Sequence, residues 1–130
     1  MEILAVGPAA SFVELADAVG DGGHSAIART ASGEEALSIL STRRVDLVVI
    51  DETLQEMNGL DLARQVAYRN PMTAVALVSP LAPEEFHEAT EGLGILAQLP
   101  LQPERAEFQD LFEKLRHVMR MTEGAGGAKP

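Results

Sequence analysis

Apolar residues gather in short unbroken runs along this chain. The runs are residues 3–6 (Ile-Leu-Ala-Val), 47–50 (Leu-Val-Val-Ile), 74–78 (Ala-Val-Ala-Leu-Val) and a weaker 95–97 (Ile-Leu-Ala). A half-buried strand alternates apolar and polar side chains, whereas a continuous run indicates burial on both faces, as in a parallel sheet. A fifth candidate, residues 25–29, holds Ala26, Ile27 and Ala28 between polar flanks, which suits a sheet edge. The segments between the runs have helical spacing. Phe12, Leu15, Ala16 and Val19 recur at i, i+3, i+4 and i+7 before Gly20. Ser32 with Glu35 forms a capping box ahead of Ala36, Leu37 and Leu40. Asn58 is placed to cap a helix bearing Leu60, Ala63, Val66 and Ala67, which must stop before Asn70-Pro71. Pro83 opens a short acidic helix over residues 84–91. The last helix carries Phe108, Leu111, Phe112, Leu115, Val118 and Met119 on one face.

The order is strand then helix, five times over, which predicts an α/β fold: a doubly wound (βα)5 three-layer sandwich with helices on both faces of a parallel sheet. Residues 1–121 hold all of it. Residues 122–130 are rich in Gly, Ala and charge without periodicity, and they read as a disordered tail or linker. The length, 130 residues, fits one domain, and 46% hydrophobic residues supply a core.

Charge changes the picture next. Ten Lys and Arg stand against 20 Asp and Glu, a formal net charge of -10. That balance opposes nucleic-acid binding, which needs clustered cations, and opposes docking on an anionic membrane. Cysteine is absent, so thiol chemistry, disulfides and Cys-ligated metals are excluded. No apolar run reaches transmembrane length, and a cytoplasmic setting is expected. His24, His87 and His117 are widely spaced and read as surface residues. Gly20-Asp21-Gly22-Gly23 precedes a strand and lacks the Lys-Ser/Thr of a phosphate loop, so it reads as a connecting turn. Gly92-Leu93-Gly94 likewise ends a helix.

In open α/β sheets, ligands bind beyond the carboxyl ends of the strands. Those ends offer Gly7-Pro8, Asp51, Ser79-Pro80 and Leu99-Pro100. The stretch from Val45 through Asp51-Glu52-Thr53-Leu54-Gln55-Glu56-Met57-Asn58-Gly59-Leu60 resembles the centre of the receiver domain of two-component response regulators. Asp51, Leu54 and Asn58-Gly59 match the family pattern, and Gln55 replaces a common Pro. The resemblance runs from residue 2 to about 121. It implies a flavodoxin-like sheet of strand order 2-1-3-4-5, with Asp51 as phospho-acceptor and Ser79 as the hydroxyl that contacts the phosphoryl group.

Other family positions depart from the pattern. Receivers usually hold Mg²⁺ with two acids after the first strand; here those positions are Gly7 and Pro8. The Lys before the last strand-end Pro is Leu99, and both lysines, Lys114 and Lys129, lie elsewhere. The aromatic switch residue is Leu96. In receivers the bond corresponding to Leu99-Pro100 is usually cis. Mg²⁺ demands near-octahedral oxygen ligands, and phosphoryl transfer demands neutralised oxygens. Only Asp51 and the Thr53 carbonyl remain as metal candidates, with Glu52 and Glu56 reading as solvated loop charges. The expectation is a degenerate receiver, or pseudo-receiver, that is no enzyme, holds no cofactor and binds Mg²⁺ weakly or not at all. It acts in phosphorelay signal transduction through protein contacts with a histidine kinase or downstream effector. A partner or homodimer face is expected on helix 4, strand 5 and helix 5, with Phe86 and Leu96 in it. One alternative is a functional atypical receiver phosphorylated on Asp51. A flavodoxin-like enzyme or nucleotide binder is the remote one.

Overall fold

Four of the five strand candidates become strands at the expected places, within a residue at either end. A computed structural model of the chain describes residues 1–19, 25–54 and 56–127, with side chains through residue 121. The readings made on Gly20, Asp21, Gly22, Gly23, His24, Gln55 and residues 128–130 lie outside the described residues. The strands are β1 (Glu2–Val6), β2 (Ala26–Thr30), β3 (Leu47–Asp51), β4 (Ala74–Val78) and β5 (Ala97–Leu99). They form one parallel sheet in the order β2-β1-β3-β4-β5. The helices are α1 (Leu15–Val19) after a 3-10 turn at Ala9–Phe12, α2 (Gly33–Thr42), α3 (Gly59–Arg69), α4 (Pro83–Ala89) and α5 (Arg105–Gly127).

The continuous runs split by parity, because successive strand side chains point to opposite faces. Ile3, Ala5, Leu47, Val49, Ala76 and Val78 join Leu15, Phe108, Leu111, Phe112 and Leu115 under α1 and α5. Leu4, Val6, Val48, Ile50, Val75 and Leu77 pack against Leu40, Leu62, Val66 and Phe86 on the other face. β2 stands at the edge and is largely exposed, as its polar flanks require.

The caps behave as expected. The Ser32 side chain accepts from the Glu35 amide at 3.2 Å, and Asn58 Oδ1 accepts from the Leu60 amide at 2.7 Å. α3 stops at Arg69, ahead of Asn70-Pro71.

Five expectations need correction. The first helix is not continuous. Chain turning after Pro8 produces a 3-10 segment, and the inward residues become Phe12, Leu15 and Ala18, while Ala16 is exposed. The last strand is shifted two residues along. Gly94, at φ +67, sets the approach, Leu96 already donates to the Val75 carbonyl at 2.7 Å, and pairing continues through Leu99. The polar Gln98 had hidden those last residues from a hydrophobicity reading. Leu99-Pro100 is trans, since no cis peptide occurs among the described residues.

The last helix continues to Gly127, so much of the expected tail has helical backbone. Helix propagation adds one hydrogen bond per residue and needs no core contact. Finally, Phe86 is not a surface anchor: it is buried in the core against the β3–β4 face. α4 is poor in other apolar residues, so its one large side chain is what attaches it to the sheet. Phe86→Ala is expected to lower stability by about 3 kcal/mol in urea denaturation, the usual loss for emptying a core aromatic site. A loss under about 1 kcal/mol would return Phe86 to the surface.

Candidate functional site

Asp51 is the last residue of β3, at the carboxyl end of the central strand, and it is only 3% exposed. A buried carboxylate needs donors, and this one has them. The Thr53 amide and hydroxyl donate to Oδ1 at 2.8 and 2.7 Å. The Ser11 hydroxyl, itself buried in the 3-10 turn, donates to Oδ2. Both oxygens are therefore engaged by the protein's own hydroxyls and amide.

The loop after β3 closes on itself to present these donors. Thr53 and Asn58 form an antiparallel bridge, and the Gly59 amide donates to the Glu52 carbonyl at 3.0 Å. This explains why Asn58 is followed by glycine. A Cβ at Gly59 would stand 2.5 Å from the Asp51 carbonyl oxygen and 2.7 Å from Glu52 Cα. Both are backbone atoms with no room to yield, so α3 can start this close to β3 only without a side chain.

Gly7 seals the site from the side of β1. Its φ is +141°, a conformation that favours glycine, and a Cβ there would meet Asp51 Cβ at 2.6 Å. Pro8, exposed, then leads into the 3-10 turn that delivers Ser11. Gly7 and Pro8 are thus more than missing carboxylates. They shape a close approach of β1 to β3, and Ser11 takes the Asp51 oxygen.

The other predicted positions lie around this centre. Ser79 follows β4 and is buried; its hydroxyl accepts from the Leu81 amide at 3.2 Å, the role of a turn residue. Its amide donates to the Leu99 carbonyl at 2.9 Å. Leu99 is buried among Phe108, Leu111 and their neighbours, so apolar packing occupies the receiver Lys position. Leu96 is partly buried against the same cluster. Glu56 is an exposed loop charge, and its carboxylate also accepts from the Gly33 amide at the first turn of α2. Glu52 is half-buried, and its Oε2 is buried with no hydrogen-bond partner. Adjacent strand-end residues point to opposite sides, so this oxygen does not add to the Asp51 donor set.

Sequence reading missed three contributors. Ser11 and the Thr53 side chain hold Asp51. Gln98 Nε2 donates to the Ser79 and Leu81 carbonyls at 3.2 and 2.7 Å and ties the β4–α4 loop to β5. A hydroxyl four residues beyond Gly7 was the only available signal for Ser11.

Chemically, the site offers one carboxylate with both oxygens in use. Mg²⁺ would require several further oxygens converging on it. Among the described residues, no group of three or more His, Asp or Glu could hold a metal ion. The donor set present does not fit the ion that the fold family implies.

Comparisons with known proteins agree with this architecture. Residues 11–102 match the model of the response regulator receiver domain. A protein-glutamate methylesterase/protein-glutamine glutaminase from Haloarcula marismortui is 30% identical over 79 residues, covering 61% of this chain and 21% of that protein. The chain therefore spans about a fifth of that relative's length. The signal receiver domain of an HD domain-containing protein from Pseudomonas fluorescens Pf-5 superposes with a TM-score of 0.77 at 22% identity, covering 94% of this chain and 91% of the other. The chemotaxis response regulator CheY4 of Vibrio cholerae superposes with a TM-score of 0.75 at 17% identity, covering 88% and 97%.

Proposed function

This chain belongs to the response regulator receiver domain family, and from that premise we propose that it is a signalling module whose output runs through protein contacts, with Mg²⁺-dependent phosphorylation of Asp51 weak or absent. The observation that carries the reading is the closed carboxylate: Oδ1 is held by Thr53, Oδ2 by Ser11, and Gly7 closes the side where family acids would stand. Phosphoryl transfer depends on positioning and on charge neutralisation. Here the acceptor is pinned, its neighbours supply no metal cage, and Leu99 replaces the cation.

The β4–α4 loop supports the same reading. The Ser79 hydroxyl accepts from the Leu81 amide, and Gln98 fastens two carbonyls of the loop. A loop bound at these points is suited to presenting one fixed surface. The partner is a histidine kinase or a downstream effector in a cytoplasmic phosphorelay. The face of α4, β5 and α5 is its candidate contact or dimer surface, with Leu96 in it and Phe86 behind it. The domain itself is no enzyme; the methylesterase relative extends far beyond the segment it shares with this chain. No described helix is long and apolar enough to cross a membrane.

A second reading rests on two retained features. Asp51 and Ser79 both stand at adjacent strand ends, β3 and β4 being paired with Asp51 opposite Val78. A kinase that supplied the missing charge could phosphorylate Asp51 once Ser11 released it. A Mg²⁺ titration followed by calorimetry separates the readings at the metal step. The expected result is no saturable heat through the low-millimolar range, and saturable binding lost in Asp51→Asn would favour the second reading.

A further inference from the structure

The end of the molecule opposite Asp51 carries an apolar groove of about 430 Å³. It runs between the α3–β4 connection, with Pro71 and Met72, and the second half of α5, with Leu115, Val118 and Met119; Leu96 forms part of its floor. α5 creates the groove by outrunning the sheet. A helix of 23 residues is about 34 Å long, whereas five-residue strands reach about 17 Å. Its core stripe therefore continues past the last strand residue it can cover: Leu115 is buried, but Val118 is 43% exposed and Met121 62%. Met72 is 84% exposed and Tyr68, on α3, 88%. These four are a majority of the large apolar side chains exposed among the described residues, and all belong to this end.

Acids stand in the helix first turns, and arginines border the groove. The first turns of α2, α3, α4 and α5 place Glu34, Glu35, Asp61, Glu84, Glu85 and Glu107 at the Asp51 end. Three arginines stand at the groove end, while Arg105 opens α5 at the Asp51 end. Arg44 lines the groove with its side chain 89% exposed; Arg69 stands two residues before Pro71, and Arg120 follows Met119, both exposed. The one acid lining the groove, Asp46, is committed to the Glu2 amide at 2.8 Å and lies 4.0 Å from Arg44. In a chain of net charge -10, Arg44, Arg69 and Arg120 give an acidic partner opposite charge to meet beside this groove.

We propose that this groove docks an amphipathic helix of a partner protein whose apolar face enters between Met72 and Val118 and whose acidic flank meets Arg44, Arg69 and Arg120. An exposed apolar patch with a polar rim marks an interaction site, and a groove beside a helix receives apolar side chains at i, i+3, i+4 and i+7. Strand addition is the poorer fit, because the neighbouring edge strand, β5, has only three residues. The site is separate from Asp51, and its failure would leave the reading of that residue untouched.

The test is fluorescence anisotropy of the full chain with two labelled model peptides. One sets leucines at helical spacing against glutamates, and the other replaces every glutamate with lysine. The glutamate peptide should bind at least about tenfold tighter than the lysine peptide, and less well at high salt. Met72→Ser, and separately the double variant Arg44→Glu, Arg69→Glu, should each weaken it about tenfold or more, with circular dichroism unchanged. Equal binding of the two peptides, no binding, or insensitivity to these substitutions overturns the proposal. So does Met72-dependent pelleting with phosphatidylglycerol vesicles, which would make the occupant a lipid surface. Self-association abolished by Met72→Ser overturns it as well, in favour of a second copy.

Discussion

Gly7→Asp, which restores one of the usual receiver acids, is expected to lower stability by about 4 kcal/mol and to leave Mg²⁺ affinity unchanged. Two effects add. An aspartate at φ +141° is strained in a region where L side chains are rare, worth about 1–3 kcal/mol. Its Cβ would also lie 2.6 Å from Asp51 Cβ and 3.4 Å from Phe12, so β1, β3 or the 3-10 turn must shift, at about 1–3 kcal/mol for an overpacked core. An acid at position 7 would match the receiver pattern, but its Cβ would lie against the carboxylate that it would assist. Urea denaturation with a Mg²⁺ titration checks the claim. Near-wild-type stability together with new Mg²⁺ affinity would show that β1 relaxes away from β3 and that the site is only missing its ligands.

Leu99→Lys is the second large loss, about 3 kcal/mol, or a fall in Tm of roughly 10 °C for a domain of this size. Leu99 is buried at the end of β5 with Phe108 and Leu111, and no described carboxylate other than those near the surface, Glu107 and Asp110, lines the adjacent hollow. A lysine here gives up apolar packing and must lead its ammonium out past α5. Leu99→Met keeps volume and polarity and should cost under about 1.5 kcal/mol. If Leu99→Lys were as stable as Leu99→Met, the position would already tolerate a cation, and its replacement would say little about chemistry.

Both predictions turn on features that the chain's pattern reveals only in part. The strands of the core were legible because residues 47–50 and 74–78 are apolar on both faces, and burial on two sides leaves no polar position to confuse the reading. Asp51 was legible for the same reason: a carboxylate ending such a run must sit at the sheet's mouth. The caps at Ser32 and Asn58 are local and were equally readable. What pattern does not carry is contact between distant segments. Ser11 and Asp51 are 40 residues apart, and nothing local to Ser11 announces its partner. Gln98 looked like the end of a strand because it is polar, yet its amide serves carbonyls 17 and 19 residues away. Phe86 looked superficial because its helix is otherwise acidic, yet a lone aromatic on a polar helix is what fastens that helix to the core. Val118 erred the other way. Helical spacing placed it on the buried face, but spacing does not say where the sheet beneath ends.

The outcome is a receiver fold with a closed strand-end carboxylate. Glycines at 7 and 59 bring β1 and α3 hard against the end of β3, and that proximity closes the carboxylate with internal hydroxyls. One measurement tests the closed state of Asp51 most directly. The protein is incubated with Mg²⁺ and a small phosphodonor such as acetyl phosphate, and its intact mass is recorded before the acyl phosphate can hydrolyse. No phosphoryl adduct should form on the wild type. An adduct approaching one phosphoryl group per chain, absent in Asp51→Asn, would contradict the account and make Asp51 a working acceptor.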